Sequence, residues 1–202
     1  MIKAVVWDIG NVFALWEPEA HYDRLIGPDR RARLFAEANL HEMNEAIDLG
    51  THSRDAAYAH AEKFPEWRAE IRRWHDDWTR MFSTPVPGTS DLMLELNATG
   101  ARSVALSNFG ANTLAAAKQY IPALNTFAQE FVSAYLGVVK PDPAIYAALE
   151  DGTGLSGEAL IFTDDRAENI EVAAERGWKT HLFQGAEGWR DRLVAEGMLP
   201  KR

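Results

Sequence analysis

The chain opens on an apolar, β-branched run, Ile2-Lys3-Ala4-Val5-Val6-Trp7, that ends in Asp8 and is followed at once by Ile9-Gly10-Asn11. A short apolar run closed by a turn signal reads as a buried strand, here one that delivers Asp8 to its carboxyl end. From about Glu19 to Phe82 the pattern is helical throughout. The stretch 31–46 is rich in Ala, Leu, Glu and Arg, and Ser53 reads as the N-cap of a helix over 54–63. The stretch 66–81 carries Trp67, Ile71, Trp74 and Trp78 at helical spacing, a stripe whose first explanation is packing.

Ser83-Thr84-Pro85-Val86-Pro87-Gly88-Thr89 continues neither neighbouring element and marks a boundary. Beyond it helices and strands alternate: helix 90–98, strand 102–106, helix 112–120, strand 131–134, helix 142–150, strand 159–163, helix 167–176 ending at Gly177, strand 179–183 and helix 188–196. Such alternation implies a parallel sheet covered on both faces. The expected fold is therefore α/β, a doubly wound core of residues 1–13 and 88–202 interrupted after its first strand by a helical insertion, residues 14–87.

At 202 residues with 47% hydrophobic composition, the chain is long enough for one such core and its insertion. A net charge of -9 argues against a duplex-DNA binder or a surface drawn to anionic lipid, since both need clustered Lys and Arg. Small-molecule chemistry stays open, because a metal ion or a local Lys can supply positive charge for an anionic substrate. The absence of cysteine excludes disulfides, thiolate catalysis and Cys-ligated metals. The first residues read directly as a strand rather than as a leader, and no apolar run is long enough to cross a bilayer, so the expected location is the cytoplasm.

Polar residues cluster at the ends of the expected strands: Asp8, then Ser107-Asn108 after Val104-Ala105-Leu106, then Thr163-Asp164-Asp165 after Leu160-Ile161-Phe162. Lys140 stands in the turn-rich Gly137-Val138-Val139-Lys140-Pro141-Asp142-Pro143, which opens a helix. Singly, each has a structural explanation: Asp8, Ser107-Asn108 and Asp164-Asp165 as turn or helix caps, Lys140 as a solvated surface lysine. Their shared place at one sheet edge, where open α/β sheets bind ligands, is the stronger argument. Carboxylates there suit Mg²⁺, a hydroxyl and an ammonium suit phosphoryl oxygens, and one carboxylate is left to attack.

Asp8 in Val5-Val6-Trp7-Asp8-Ile9-Gly10-Asn11-Val12, Ser107 in Ala105-Leu106-Ser107-Asn108, Lys140 before Pro141-Asp142-Pro143-Ala144-Ile145-Tyr146, and Asp164-Asp165 before Arg166-Ala167-Glu168-Asn169 together resemble the four ordered motifs of the haloacid dehalogenase (HAD) superfamily of hydrolases. The resemblance implies a Rossmann-like core, a helical cap inserted after the first strand and a covalent aspartyl intermediate. It implies Asp8 as nucleophile and metal ligand, the Gly10 carbonyl as a second ligand, and Ser107 on a phosphoryl oxygen with Asn108 beside it. Lys140 would bridge Asp8 and the phosphate. Asp165 would be the direct Mg²⁺ ligand, with Asp164 in support and Asn169 as a water-mediated partner.

One departure stands out. Phosphatases of this family usually carry a second Asp two residues after the nucleophile to protonate the leaving oxygen, and here that position is Gly10. General acid–base help is worth about 10²–10⁴-fold, so its loss implies slow turnover or a substitute group. The start Asp8-Ile9-Gly10-Asn11-Val12 is nonetheless similar to that of a subgroup of sugar-phosphate phosphatases. The leading expectation is a Mg²⁺-dependent phosphatase of a small phosphorylated metabolite, for example a sugar phosphate.

Two alternatives remain. One is a metal-independent 2-haloacid dehalogenase using Asp8, a branch that usually has Tyr at the position of Gly10 and a Ser/Asn-rich fourth motif. The other is a non-catalytic HAD-like binding or regulatory protein. Substrate choice is expected to lie in the cap, where Trp16, His21, Arg24, Asn44 and Asp48 are polar or aromatic positions available to a cleft.

Overall fold

Five parallel strands form the centre of the computed structural model, which describes residues 1–201. They are β1 (Ala4–Trp7), β2 (Ser103–Ser107), β3 (Gln129–Val132), β4 (Leu160–Asp164) and β5 (Lys179–Leu182), in the order β3-β2-β1-β4-β5. Every residue of β1 is buried, as a strand covered on both faces requires. Its register places Trp7 opposite Ala105 of β2 and Thr163 of β4, so Asp8, Ser107 and Asp164 emerge at one edge of the sheet.

Helices α1 (Pro18–Ile26), α2 (Pro28–Ala38), α3 (Leu40–Asp48), α4 (Ser53–Lys63), α5 (Arg68–Asp76) and α6 (Trp78–Met81) follow β1 without an intervening strand. The chain leaves and re-enters the sheet region side by side: Leu15 N donates to Thr84 O at 2.9 Å and Val86 N to Phe13 O at 3.0 Å. The remaining helices are α7 (Thr89–Ala98), α8 (Ala111–Tyr120), α9 (Ser133–Leu136), α10 (Pro143–Thr153), α11 (Ala167–Glu175) and α12 (Ala186–Ala195). Val5 and Trp7 point into a core shared with α7, α8 and α12, while Ala4 and Val6 point into a second core under α10 and α11. That split follows from the two-residue period of a strand. No helix among the described residues is long and apolar enough to cross a membrane.

Local differences from the sequence reading have physical causes. The helix expected over 31–46 divides at Asn39, which sits at φ 47 between α2 and α3. Asn tolerates that left-handed conformation better than most residues, and helix-forming composition on both sides hides the break. The helix expected over 66–81 begins as a tight turn at Pro65–Trp67 and divides again at Asp77. Ser53 is the first residue of α4 rather than its cap: the His52 ring accepts from Arg54 N instead. The Ser53 hydroxyl is taken by tertiary partners, His75 Nδ1 at 2.7 Å and Asn112 Nδ2 of α8 at 2.6 Å. Strand β3 begins two residues earlier than the apolar signal, at half-buried Gln129 and Glu130, and ends at Val132, where α9 takes over.

The C-terminal end of α3 packs tightly on the loop after β2. A Cβ at Gly110 would lie 2.6 Å from Ile47 Cγ2 and 2.8 Å from Thr113 Oγ1. Gly110→Ala is therefore expected to destabilise the protein by about 1–3 kcal/mol through overpacking. Adding Ile47→Ala removes the opposing methyl, so the double variant should cost less than the sum of the two single ones in urea denaturation.

Candidate active site

Asp8 lies where β1 ends, its amide donating to Thr163 O of β4 at 3.0 Å. One oxygen, Oδ1, accepts both Ser107 Oγ at 2.7 Å and Lys140 Nζ at 2.8 Å. Lys140 Nζ reaches on to Asp164 Oδ2 at 2.6 Å, and its side chain is only 2% exposed, so it is a buried ion-pair partner and not a surface lysine. Asn108 sets its position: the Asn108 amide donates to Lys140 O at 2.9 Å and accepts from Lys140 N at 2.7 Å. Asp164 further accepts Arg166 N at 2.8 Å and Asn169 Nδ2 at 3.0 Å on each oxygen. Its carboxylate is saturated by protein donors.

Asp165 turns the other way and accepts Asn11 Nδ2 at 2.9 Å. Asn11 holds a left-handed backbone, φ 54, and its Oδ1 accepts Trp16 N at 2.9 Å, which fixes the amide so that its donor faces Asp165. This role of Asn11 escaped the sequence reading, although the Gly10-Asn11 turn was its visible signal.

Burial dominates the electrostatics. It pushes the Asp8 carboxyl up, with Asp164 adding to the shift and Lys140 opposing it. Burial alone would favour a neutral Lys140 amine, but Asp164 and Asp8 outweigh it and hold the ammonium above its usual range. Asp165 is also raised by burial, against its bond from Asn11.

Oxygens of Asp8, Asp164 and Asp165 all lie within 4.8 Å of one another. Asp8 Oδ2 and Asp165 Oδ1 take no hydrogen bond from another side chain among the described residues, and Asn169 Oδ1 is buried without a partner. Hard oxygen donors with free lone pairs, backed by an acceptor open to a bound water, fit Mg²⁺.

Above this group lies a cavity of about 370 Å³. Asp8, Gly10, Ser107, Asn108, Lys140 and Asp165 line its sheet side. Trp16, His41, Asn44, Asp48 and Trp78 line it from the helical side. His21 and Arg24 do not reach it and border a separate depression with Arg80. Of the tryptophan stripe, Trp67 and Trp74 are buried packing residues, whereas Trp78 also meets the cavity.

Asp48, one of several polar positions named from sequence, is half-buried at the end of α3. It accepts Asn44 Nδ2 at 3.0 Å, and Asn44 Oδ1 in turn accepts Trp74 Nε1 at 3.0 Å. Burial pushes the Asp48 carboxyl up to about 7, aided by the charges of Glu45 and Asp8 and opposed by Asn44.

No protein-family model matches the sequence. A 64-residue stretch, 32% of the chain, is 33% identical to Phosphatase MT3486 of Mycobacterium tuberculosis and spans about a third (30%) of that relative's length. The whole chain superposes on a predicted HAD-like family hydrolase from Porphyromonas gingivalis with a TM-score of 0.74 at 18% identity, covering 100% of both chains. A HAD family enzyme from Bacteroides thetaiotaomicron, in complex with magnesium and inorganic phosphate, matches with a TM-score of 0.68 at 20% identity over 94% of this chain and 98% of that one. An L-2-haloacid dehalogenase from Xanthobacter autotrophicus with chloropropionic acid covalently bound matches with a TM-score of 0.61 at 18% identity over 99% and 85%.

The raised pKa of Asp48 has a consequence for stability. The folded state binds this proton more tightly than the unfolded chain, so the residue's contribution to stability falls as pH rises from about 4 to about 7. Asp48→Asn removes that decline. Relative to the parent protein, the variant should gain roughly 1–3 kcal/mol between about pH 5 and about pH 8, read from urea unfolding at each pH.

Proposed function

This chain has the fold of the HAD superfamily, and on that premise we propose that it is a Mg²⁺-dependent phosphatase of a small phosphorylated metabolite, such as a sugar phosphate. In this reading residues 1–13 and 88–202 are the catalytic core and residues 14–87 the cap. The observation that carries it is the single oxygen of Asp8 on which Ser107 and Lys140 converge, 2.7 and 2.8 Å away. In this reading those two donors would neutralise the oxygens of an incoming phosphoryl group as Asp8 attacks phosphorus.

Asp8, the Gly10 carbonyl and Asp165 would hold Mg²⁺, with Asp164 behind them orienting Lys140. The ion would offset phosphoryl charge that Lys140 alone cannot balance. Asn108 keeps the Lys140 backbone in place, and Asn11 keeps Asp165 in place. The 370 Å³ cavity suits a small metabolite, with the helical side forming one of its walls. The same carboxylate attacks carbon without metal in the dehalogenase reading. The paired Asp164 and Asp165 with the open Asn169 acceptor favour the metal-dependent one.

With Mg²⁺, the protein is expected to release phosphate from an aryl phosphate and from members of a sugar-phosphate panel. EDTA should abolish turnover, and Asp8→Asn should lower it by at least roughly 10³-fold. Chloride release from 2-chloropropionate in chelator, without phosphatase activity, would establish the dehalogenase reading instead. Thermal stabilisation by phosphate esters without turnover would establish a binding protein.

A further inference from the structure

Cleaving a phosphate ester requires a proton for the departing alcohol oxygen, and the sheet side of the cavity has no group free to give it. Lys140 is committed to Asp8 and Asp164, the Ser107 hydroxyl to Asp8, and Asp165, held by Asn11 through one oxygen, would give its other oxygen to Mg²⁺. Gly10 has no side chain, and a Cβ there would meet nothing within 4 Å, so open space lies beside the nucleophile. The helical side supplies what is missing. Among the acids it contributes to the cavity wall, Glu19 is paired with His41 at 3.1 Å and Glu45 is exposed to solvent. Asp48 is half-buried and takes its one side-chain hydrogen bond from Asn44.

Asp48 is also held in place from three directions. The Trp74 indole fixes the Asn44 amide so that its NH₂ faces the Asp48 carboxyl. The Asp48 carbonyl accepts the hydroxyl of Ser133, the first residue of α9, at 2.6 Å. On either side of it, Ile47 presses on Gly110, and Gly50 passes so close to Ala134 that a Cβ would lie 2.9 Å from the Ala134 oxygen. The backbone around Asp48 is therefore anchored to the sheet-side loops, and its carboxyl to the helical block through Asn44.

We propose that Asp48 is the general acid and base of the reaction, which rests on the phosphatase reading above. As the bond from Asp8 to phosphorus forms, the bond to the alcohol oxygen breaks with its electron pair on that oxygen, which takes the Asp48 proton. Water then attacks phosphorus, the electron pair of the broken bond returns to Asp8, and Asp48 takes the water's proton. The cycle ends with Asp48 protonated again and with alcohol and phosphate released. A carboxyl that burial has raised to about 7 populates both forms near neutrality, as this double duty needs.

The test compares phenyl, 4-nitrophenyl and 2,4-dinitrophenyl phosphate with Mg²⁺, a series in which the leaving oxygen needs progressively less help from an acid. Asp48→Asn should lose about 10²–10⁴-fold on phenyl phosphate. With 2,4-dinitrophenyl phosphate it should release about one equivalent of phenolate in a burst and then turn over slowly, because the aspartyl phosphate lacks its base. Asp48→Glu should recover part of the phenyl phosphate activity, and His41→Asn should keep the parent's leaving-group dependence. Equal losses of Asp48→Asn on all three esters with no burst, parent rates on all three, or a leaving-group effect in His41→Asn instead would overturn the assignment. A parent protein inactive on all three esters would refute the phosphatase reading, and this assignment with it.

Discussion

The Lys140 ammonium, closed between Asp8 and Asp164, is the constraint on which the rest of the site depends. Burying an ammonium is costly unless its partners are close and well satisfied, and the structure meets both conditions. The two ion-pair distances are 2.8 and 2.6 Å, and Asp164 is further held by Arg166 N and Asn169. That arrangement needs three chain segments at one edge. The register of β1 between β2 and β4 supplies two of them, and the Asn108 clasp on the Lys140 backbone supplies the third. The fold thus places the charges before any substrate arrives, the preorganisation on which electrostatic catalysis depends.

Much of this was legible in the chain. The apolar run ending in Asp8, and the polar residues closing Leu106 and Phe162, mark strand ends because a buried parallel strand tolerates polar groups only where it leaves the core. The helical block was visible because its apolar spacing never switches to that of a strand. Less legible were features set by contacts distant in sequence. The break at Asn39, the capture of the Ser53 hydroxyl by His75 and Asn112, and the early start of β3 at Gln129 all depend on neighbours that no local pattern contains.

The same distinction separates the two walls of the cavity. The sheet side is built from motif residues, and its geometry follows from topology. On the helical side, Asn44 and Asp48 are ordinary polar residues of an amphipathic helix until Trp74 fixes the amide and the turn after α3 docks on Ser133 and Ala134. His21 and Arg24 have the same chemical promise in sequence and lie elsewhere. Gly10 gains its meaning from this comparison, since it leaves open space in a cavity whose helical wall includes the Asp48 carboxylate.

If Asp8 is the nucleophile of a phosphatase, it carries phosphate during turnover, and that phosphate can be located chemically. Quenching the Mg²⁺-loaded protein during turnover of an aryl phosphate and reducing it with borohydride converts an aspartyl phosphate to homoserine, which peptide mass spectrometry can place. Homoserine is expected at position 8 and nowhere else, dependent on Mg²⁺. Homoserine at another aspartate, or continued turnover in the Asp8→Asn variant, would contradict it.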